Sequence, residues 1–333
     1  MVAIAQQAVG DRYTITANAK MVLAKQNDEK GGRSDDVQRA REIQKTLADD
    51  HVAALVTLRG GSWFTRVLDR INFDVLRQRK KPLYLFGFSE MTSLIAIAGR
   101  YAKTVGLYDL GPAFLLDGLE AYANKHIRRL TRAIDLPDDE DHREGFASGW
   151  ASTRFPQEFE AFFRDVANIL EGKGSCRKPT GRLLSGSLPT STRITIAGGN
   201  LSVLMPLIKS RFASAIETRG KWLALEDLNE TPGTIDRMLA GLKLSGLLDR
   251  AEGIILGEFH DNTKDLTQAV YNILKYHVNA KRRIPIIALE NFGHVYPIAP
   301  LPLHREVMLH CHRDGRRKPK ITLEIPWSRW ARK

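Results

Sequence analysis

A serine on a sharp turn between a strand and a helix can act as a nucleophile, because the turn lifts its hydroxyl clear of the sheet. Ser89 holds such a place in Gly87-Phe88-Ser89-Glu90-Met91-Thr92, after the apolar run KPLYLFGF (81–88) and before a helical stretch over 90–103. Backbone N–H groups at the start of that helix could hold an oxyanion. Position 91 is methionine, so the turn is not a full G-x-S-x-G, and a serine there also serves as a simple helix cap. A serine nucleophile needs a base, and the base an orienting acid. Among nine histidines, His294 stands out in Asn291-Phe292-Gly293-His294, directly after the apolar run IPIIALE. Glu226 is the matching acid, closing the run WLAL with Asp227 beside it. Taken singly, His294 reads as a loop histidine and Glu226 as a cap or ion-pair partner.

These residues sit where an α/β fold would present them. A helix is expected from Ser34, as N-cap, to about Ala48, with Asp35 and Asp36 in its first turn. HVAALVTL (51–58) reads as a buried strand ending in Arg59-Gly60-Gly61, followed by a helix with Phe64, Val67, Leu68 and Ile71 on one face. With the 81–88 strand and the 90–103 helix, the alternation predicts a parallel sheet with helices on both faces. The ligand crevice of such a sheet lies beyond the strand C-termini. That places the Gly60-Gly61 and Ser89-Glu90 turns on the functional rim. Residues 126–190 differ in character. Arg128, Arg129 and Arg132 precede an acidic stretch, Asp138 to Asp141. A helix near 156–171 carries Phe159, Phe162, Phe163, Val166 and Leu170 on one stripe, and a Gly/Ser/Lys/Pro-rich segment follows. The second half resumes with strands at 193–200, 222–227, 253–259 and 284–290, a helix over 235–248, and a hairpin tail. We therefore expect a nucleophile domain over 1–125, a junction with an inserted helical element over 126–190, and a β-rich α/β domain over 191–333.

At 333 residues the chain can bury a sizeable core without staples. Cys176 and Cys311 are its only cysteines, which excludes a disulfide scaffold and a four-cysteine zinc site. It has no apolar run of about 18 residues and no basic leader, so a cytoplasmic protein without membrane contact is expected. The net charge is +12, and nine Lys/Arg against three acids fall between His304 and Lys333. Arg316-Arg317-Lys318 follows Asp314-Gly315, which reads as a solvated hairpin tip; nucleic acid is not the expected partner. His310 and His312 share one strand face with Cys311 on the other, a poor metal site. Gly198-Gly199-Asn200 lacks the Lys-Ser/Thr of a P-loop.

The ordered segments Arg59-Gly60-Gly61, Gly87 to Thr92, Gly111-Pro112, Gly198 to Ser202, Leu225-Glu226-Asp227, Gly253 to Gly257 and Gly293-His294 cover roughly residues 30 to 325. In these the chain resembles the serine LD-carboxypeptidases, whose relatives include the microcin C self-immunity peptidase. The resemblance implies a Ser89–Glu226–His294 triad and an oxyanion hole of backbone N–H groups from Gly60 or Gly61 and from Glu90. It also implies a flavodoxin-like N-terminal domain, a smaller β-rich C-terminal domain, no metal or other cofactor, and a homodimer.

The sequence departs from the family at three places. Glu90 stands where aspartate is usual, Leu110 where histidine is common, and VAIA (2–5) is at most a remnant of a first strand. The expected activity is hydrolysis of the L,D-peptide bond of murein tetrapeptides, releasing the terminal D-amino acid. The alternative substrate is a microcin C-type peptidyl-nucleotide, on whose ring Trp150 of the insertion could stack. The alternative from another class is a non-catalytic protein that binds an anionic partner through its basic C-terminus.

Overall fold

Leu83–Gly87 forms β2, buried at every residue, because it runs between two parallel neighbours, Ala54–Val56 (β1) and Thr104–Tyr108 (β3). A strand covered on both faces reads as a continuous apolar run. The computed structural model describes residues 1–18, 35–133, 140–261, 264–278, 282–315 and 318–331. Ser34, Arg316 and Arg317 lie outside them. The expected 51–58 strand shrinks to the three residues of β1, half-buried at the sheet edge. The fourth strand of this sheet comes from far along the chain: Leu301–Leu303 (β9) pairs antiparallel with β3, Tyr108 opposite Leu301.

The remaining strands close into a barrel. They are Thr180–Ser185 (β4), Ser191–Asn200 (β5), Trp222–Leu228 (β6), Gly253–His260 (β7), Ile286–Leu289 (β8), Glu306–His312 (β10) and Lys320–Glu324 (β11). Their order around the barrel is β10-β11-β4-β8-β7-β6-β5. The stretch β5-β6-β7-β8 is parallel and largely apolar, whereas β10 and β11 alternate buried and exposed residues along the hairpin. Closure leaves the barrel no unpaired edge. The architecture is thus mixed α/β, a partly parallel sheet beside a β-rich unit.

Several expected helices change shape. Residues 2–5 are not strand: Val2–Val9 is a helix whose Ala5, Ala8 and Val9 are buried, at the i, i+3, i+4 spacing of one helical face. It packs on the long helix Glu140–Leu170, and Gln6 closes its end by donating to the carbonyls of Gly10 and Tyr13. The helix expected after Gly61 is a 3-10 helix, Thr65–Arg70, although Phe64, Val67, Leu68 and Ile71 are all buried as the pattern requires. The helix after Ser89 is short, a 3-10 turn over Ser89–Met91 and then Thr92–Ala98. The 235–248 helix divides into Pro232–Leu244 and Leu247–Arg250 around Gly246, which has φ +76°.

The inserted element is a pair of packed helices, Leu115–Ala133 and Glu140–Leu170, longer than the 156–171 stripe indicates. Phe159, Phe162, Phe163, Val166 and Leu170 are buried as expected. Arg177 fastens this element to the rest. Its guanidinium meets Asp109 through two bonds (2.7 and 3.0 Å), Asp165 at 2.7 Å and the Ile298 carbonyl at 3.0 Å. Among the described residues no helix is long and apolar enough to cross a membrane.

Candidate active site

Ser89 takes φ +55°, a left-handed conformation uncommon for a residue with a side chain. Only Phe88 separates it from β2, so the strand fixes the turn, and Ser89 lines a cleft of about 450 Å³. Arg59, Gly60, Gly61, Glu90, Phe114, Asp117, Asp227 and His294 also line this cleft. A Cβ built on Gly60 would fall 2.6 Å from Ser89 Cβ and 2.8 Å from Ser89 Oγ. Only glycine lets the Arg59–Gly61 turn approach the hydroxyl so closely. Gly60→Ala is therefore expected to lower kcat/KM by about 10²–10³-fold, the size of losing one oxyanion donor, with an unchanged circular dichroism spectrum. Near-normal kinetics in that variant would show that the turn does not border the reacting carbonyl.

Glu226 lies within β6, fully buried, where the pairing of β6 with β7 shifts register between Leu225 and Asp227. Such irregularities re-aim side chains beside functional sites. Its Oε2 lies 2.7 Å from His294 Nδ1, and its Oε1 accepts the Tyr108 hydroxyl at 2.6 Å. His294, almost fully buried, is held between the rings of Phe88 (centroids 5.2 Å apart) and Phe114 (6.0 Å). Gly293, at φ +117°, brings the chain against Glu226: a Cβ there would sit 3.2 Å from Oε2. With Nδ1 engaged by the carboxylate, Nε2 is the nitrogen left to accept a proton.

Burial raises the Glu226 pKa, but the imidazole beside it and the bonds from His294 and Tyr108 outweigh that, leaving it below the ordinary carboxylate value. Burial pulls His294 down, yet the charge and hydrogen bond of Glu226 more than compensate, leaving it above the usual 6.5. Burial first, then the Glu226 charge, holds the Tyr108 hydroxyl well above 10, so it stays a donor. Asp227 is pushed up to about 6 by burial and by the neighbouring Glu226 charge. It accepts from the N–H groups of Ser202 (2.7 Å) and Leu228 (2.9 Å) and from Asn200 Nδ2 (3.2 Å).

The structure thus gathers Ser89, Glu226 and His294, with Gly60, Gly61 and Glu90, around one cleft. Two parts were not named from sequence. Tyr108 joins Glu226 to Ser89, its hydroxyl donating to the carboxylate while accepting the Ser89 N–H at 3.2 Å. The Glu90 carboxylate, singled out only for its backbone, accepts from Phe64 N (2.9 Å), Thr65 N (2.7 Å) and Thr65 Oγ1 (2.9 Å), which ties the glycine-bearing loop to the nucleophile turn. The only sequence signal for Tyr108 is its place at the C-terminal end of an apolar strand. Trp150 is not among the cleft residues; its ring stacks on Tyr122 (6.1 Å) with Arg154 5.2 Å from its centroid. Asn200 caps the four-residue helix Leu201–Leu204. His310 and His312 stack 6.1 Å apart beside Glu324 and Thr322 on the hairpin.

A buried carboxylate is paired with an imidazole that shares one cleft with a left-handed serine, at the meeting of a partly parallel sheet and a β-barrel. The chain belongs to the LD-carboxypeptidase family: residues 5–109 match its N-terminal domain and residues 195–309 its C-terminal domain. It is 26% identical over 272 residues to a probable murein peptide carboxypeptidase of Bacillus subtilis, covering 80% of this chain and 72% of that one. It is 24% identical over 276 residues to the Escherichia coli microcin C7 self-immunity protein MccF, covering 80% and 73%. Among solved structures, the muramoyltetrapeptide carboxypeptidase of Oxalobacter formigenes superposes with a TM-score of 0.58 at 18% identity, over 97% of this chain and 95% of that one. An MccF-like protein of Bacillus anthracis gives 0.62, also at 18% identity, over 97% and 91%.

Proposed function

We propose that this chain is a serine-type LD-carboxypeptidase that releases the terminal D-amino acid from murein tetrapeptides. The observation that carries this reading is the 2.7 Å contact of buried Glu226 with His294, which lines the same cleft as the left-handed Ser89. His294 Nε2 takes the proton of Ser89 as Oγ attacks the scissile carbonyl, and Glu226 stabilises the imidazolium. The N–H groups of Glu90 and of Gly60 or Gly61 receive the oxyanion. His294 then gives its proton to the leaving amine, and water, activated by the same imidazole, releases the acyl group from Ser89. The three parallel strands β1–β3 support a shortened flavodoxin-like unit, and family resemblance supports a cytoplasmic homodimer.

The basic C-terminal stretch is partly consumed inside the fold. Arg305 donates to the carbonyls of Gly99, Tyr101 and Ala102, Arg313 to that of Leu188, and Arg329 pairs with Glu306. This weakens the reading as a non-catalytic anion-binding protein.

The test is incubation of the purified chain with a murein tetrapeptide and measurement of free D-alanine. Release is expected. No release, with hydrolysis of an aspartyl sulfamoyl adenylate instead, would replace the murein reading with the peptidyl-nucleotide one. Hydrolysis of neither would remove the peptidase reading.

A further inference from the structure

The charged side chains around the cleft are unequal in what they still have to offer. Three carboxylates line it: Glu90, Asp117 and Asp227. Glu90 is spent on Phe64 and Thr65, and Asp227 on Asn200, Ser202 and Leu228. Asp117 is exposed and makes no hydrogen bond or ion pair among the described residues. The same holds for Arg59, the one lysine or arginine lining the cleft among the described residues.

The two charges stand at different parts of the wall. Arg59 directly precedes Gly60, where a Cβ would fall 2.8 Å from Ser89 Oγ. Asp117 lies one helical turn beyond Phe114, whose ring meets His294. An unpaired guanidinium suits a carboxylate, which it can grip through two parallel bonds. An unpaired carboxylate suits an ammonium group. A cleft that keeps one of each unpaired is built for a ligand that carries both.

We infer that Arg59 and Asp117 are specificity residues that recognise a zwitterionic peptide, Arg59 its free carboxylate and Asp117 a free side-chain ammonium. This rests on the peptidase reading of the cleft and adds to it a charge requirement. A peptide with D-alanine at its C-terminus and a diamino acid just before it supplies both groups. An acyl side chain that is itself acidic would face Asp117 with like charge.

The test uses Ser89→Ala protein, so that binding is read without turnover. Calorimetry compares three ligands: a tetrapeptide with lysine third and D-alanine fourth, its C-terminal amide, and its Nε-acetyl form. Adding Arg59→Met should weaken binding of the free acid by about 10- to 100-fold and leave the amide within about twofold, the range expected for a hydrogen bond to a charged group. Adding Asp117→Asn should weaken the free-ammonium peptide about tenfold or more and leave the acetylated one unchanged. Arg59→Lys should recover part of the loss. Equal losses on matched ligands, no loss, or no binding of any of the three would overturn the assignment. Failure of the peptidase reading shows separately, as no D-alanine released by the wild type.

Discussion

Ser89→Ala is expected to lower kcat on the murein tetrapeptide by roughly 10⁶-fold, and Glu226→Gln by about 10⁴-fold, with the double variant no worse than Ser89→Ala alone. Removing the nucleophile ends the covalent route, so nothing further can be lost through the acid. The smaller loss at Glu226 has a structural cause. Its carboxylate accepts two donors, one on each oxygen: the His294 ring and the Tyr108 hydroxyl. A glutamine amide has one oxygen, so whichever way it turns, one of these bonds fails.

The pH profile separates this role from a merely structural one. The base must be neutral to act, and Glu226 holds the His294 pKa above 6.5. Wild-type kcat/KM should therefore rise with pH through an apparent pKa above 6.5. In Glu226→Gln the burial remains and the favourable charge is gone, so that limb should move to lower pH. Stopped assays from pH 5 to 9 read the shift. An unmoved limb would mean that a group other than His294 titrates.

Arg177→Met should destabilise the fold by about 3–5 kcal/mol, the usual result of stranding buried charge. Asp109 is fully buried and Asp165 nearly so, and Arg177 is the cation that meets both. The loss would be read as a lower urea midpoint with an unchanged slope. Adding Asp109→Asn and Asp165→Asn should restore part of it, because the stranded charges are then gone. An unchanged midpoint in Arg177→Met would show that the network contributes nothing net. Asp109 also accepts the Leu110 N–H, and a Cβ on Gly111 would sit 2.7 Å from the Leu58 carbonyl, so activity should fall along with stability.

The parts legible in the sequence were those written in local patterns. β2, β6 and β7 are covered on both faces and stand out as apolar runs, and the phenylalanine stripe of the long helix follows a 3.6-residue period. The first sixteen residues of that helix did not stand out, because EDHREGFASGWASTRF is largely polar and Pro156 lies just beyond it. β9 is three residues long with proline in its middle, too short for any alternation to show. Barrel closure depends on β10 finding β5, a pairing with no local signature. At the site, Ser89, Glu226 and His294 were candidates because each ends or follows an apolar run, and the family resemblance is what joined them into one set. Tyr108 and the Glu90 carboxylate act across distances in sequence that only the folded chain brings together.

The pairing of β9 with β3 also sets the order of events during synthesis. Tyr108 waits for Leu301, so the sheet that carries the Ser89 turn is incomplete until about two hundred further residues have left the ribosome. Contacts so distant in sequence form late and slowly. Until then the Tyr108 side of that sheet is an unpaired edge, the exposed feature through which growing chains aggregate. The same crossover follows His294 by only a few residues, so the base and the missing strand arrive together. A chain cut before residue 294 therefore lacks both the proposed base and the strand that completes the sheet beneath Ser89.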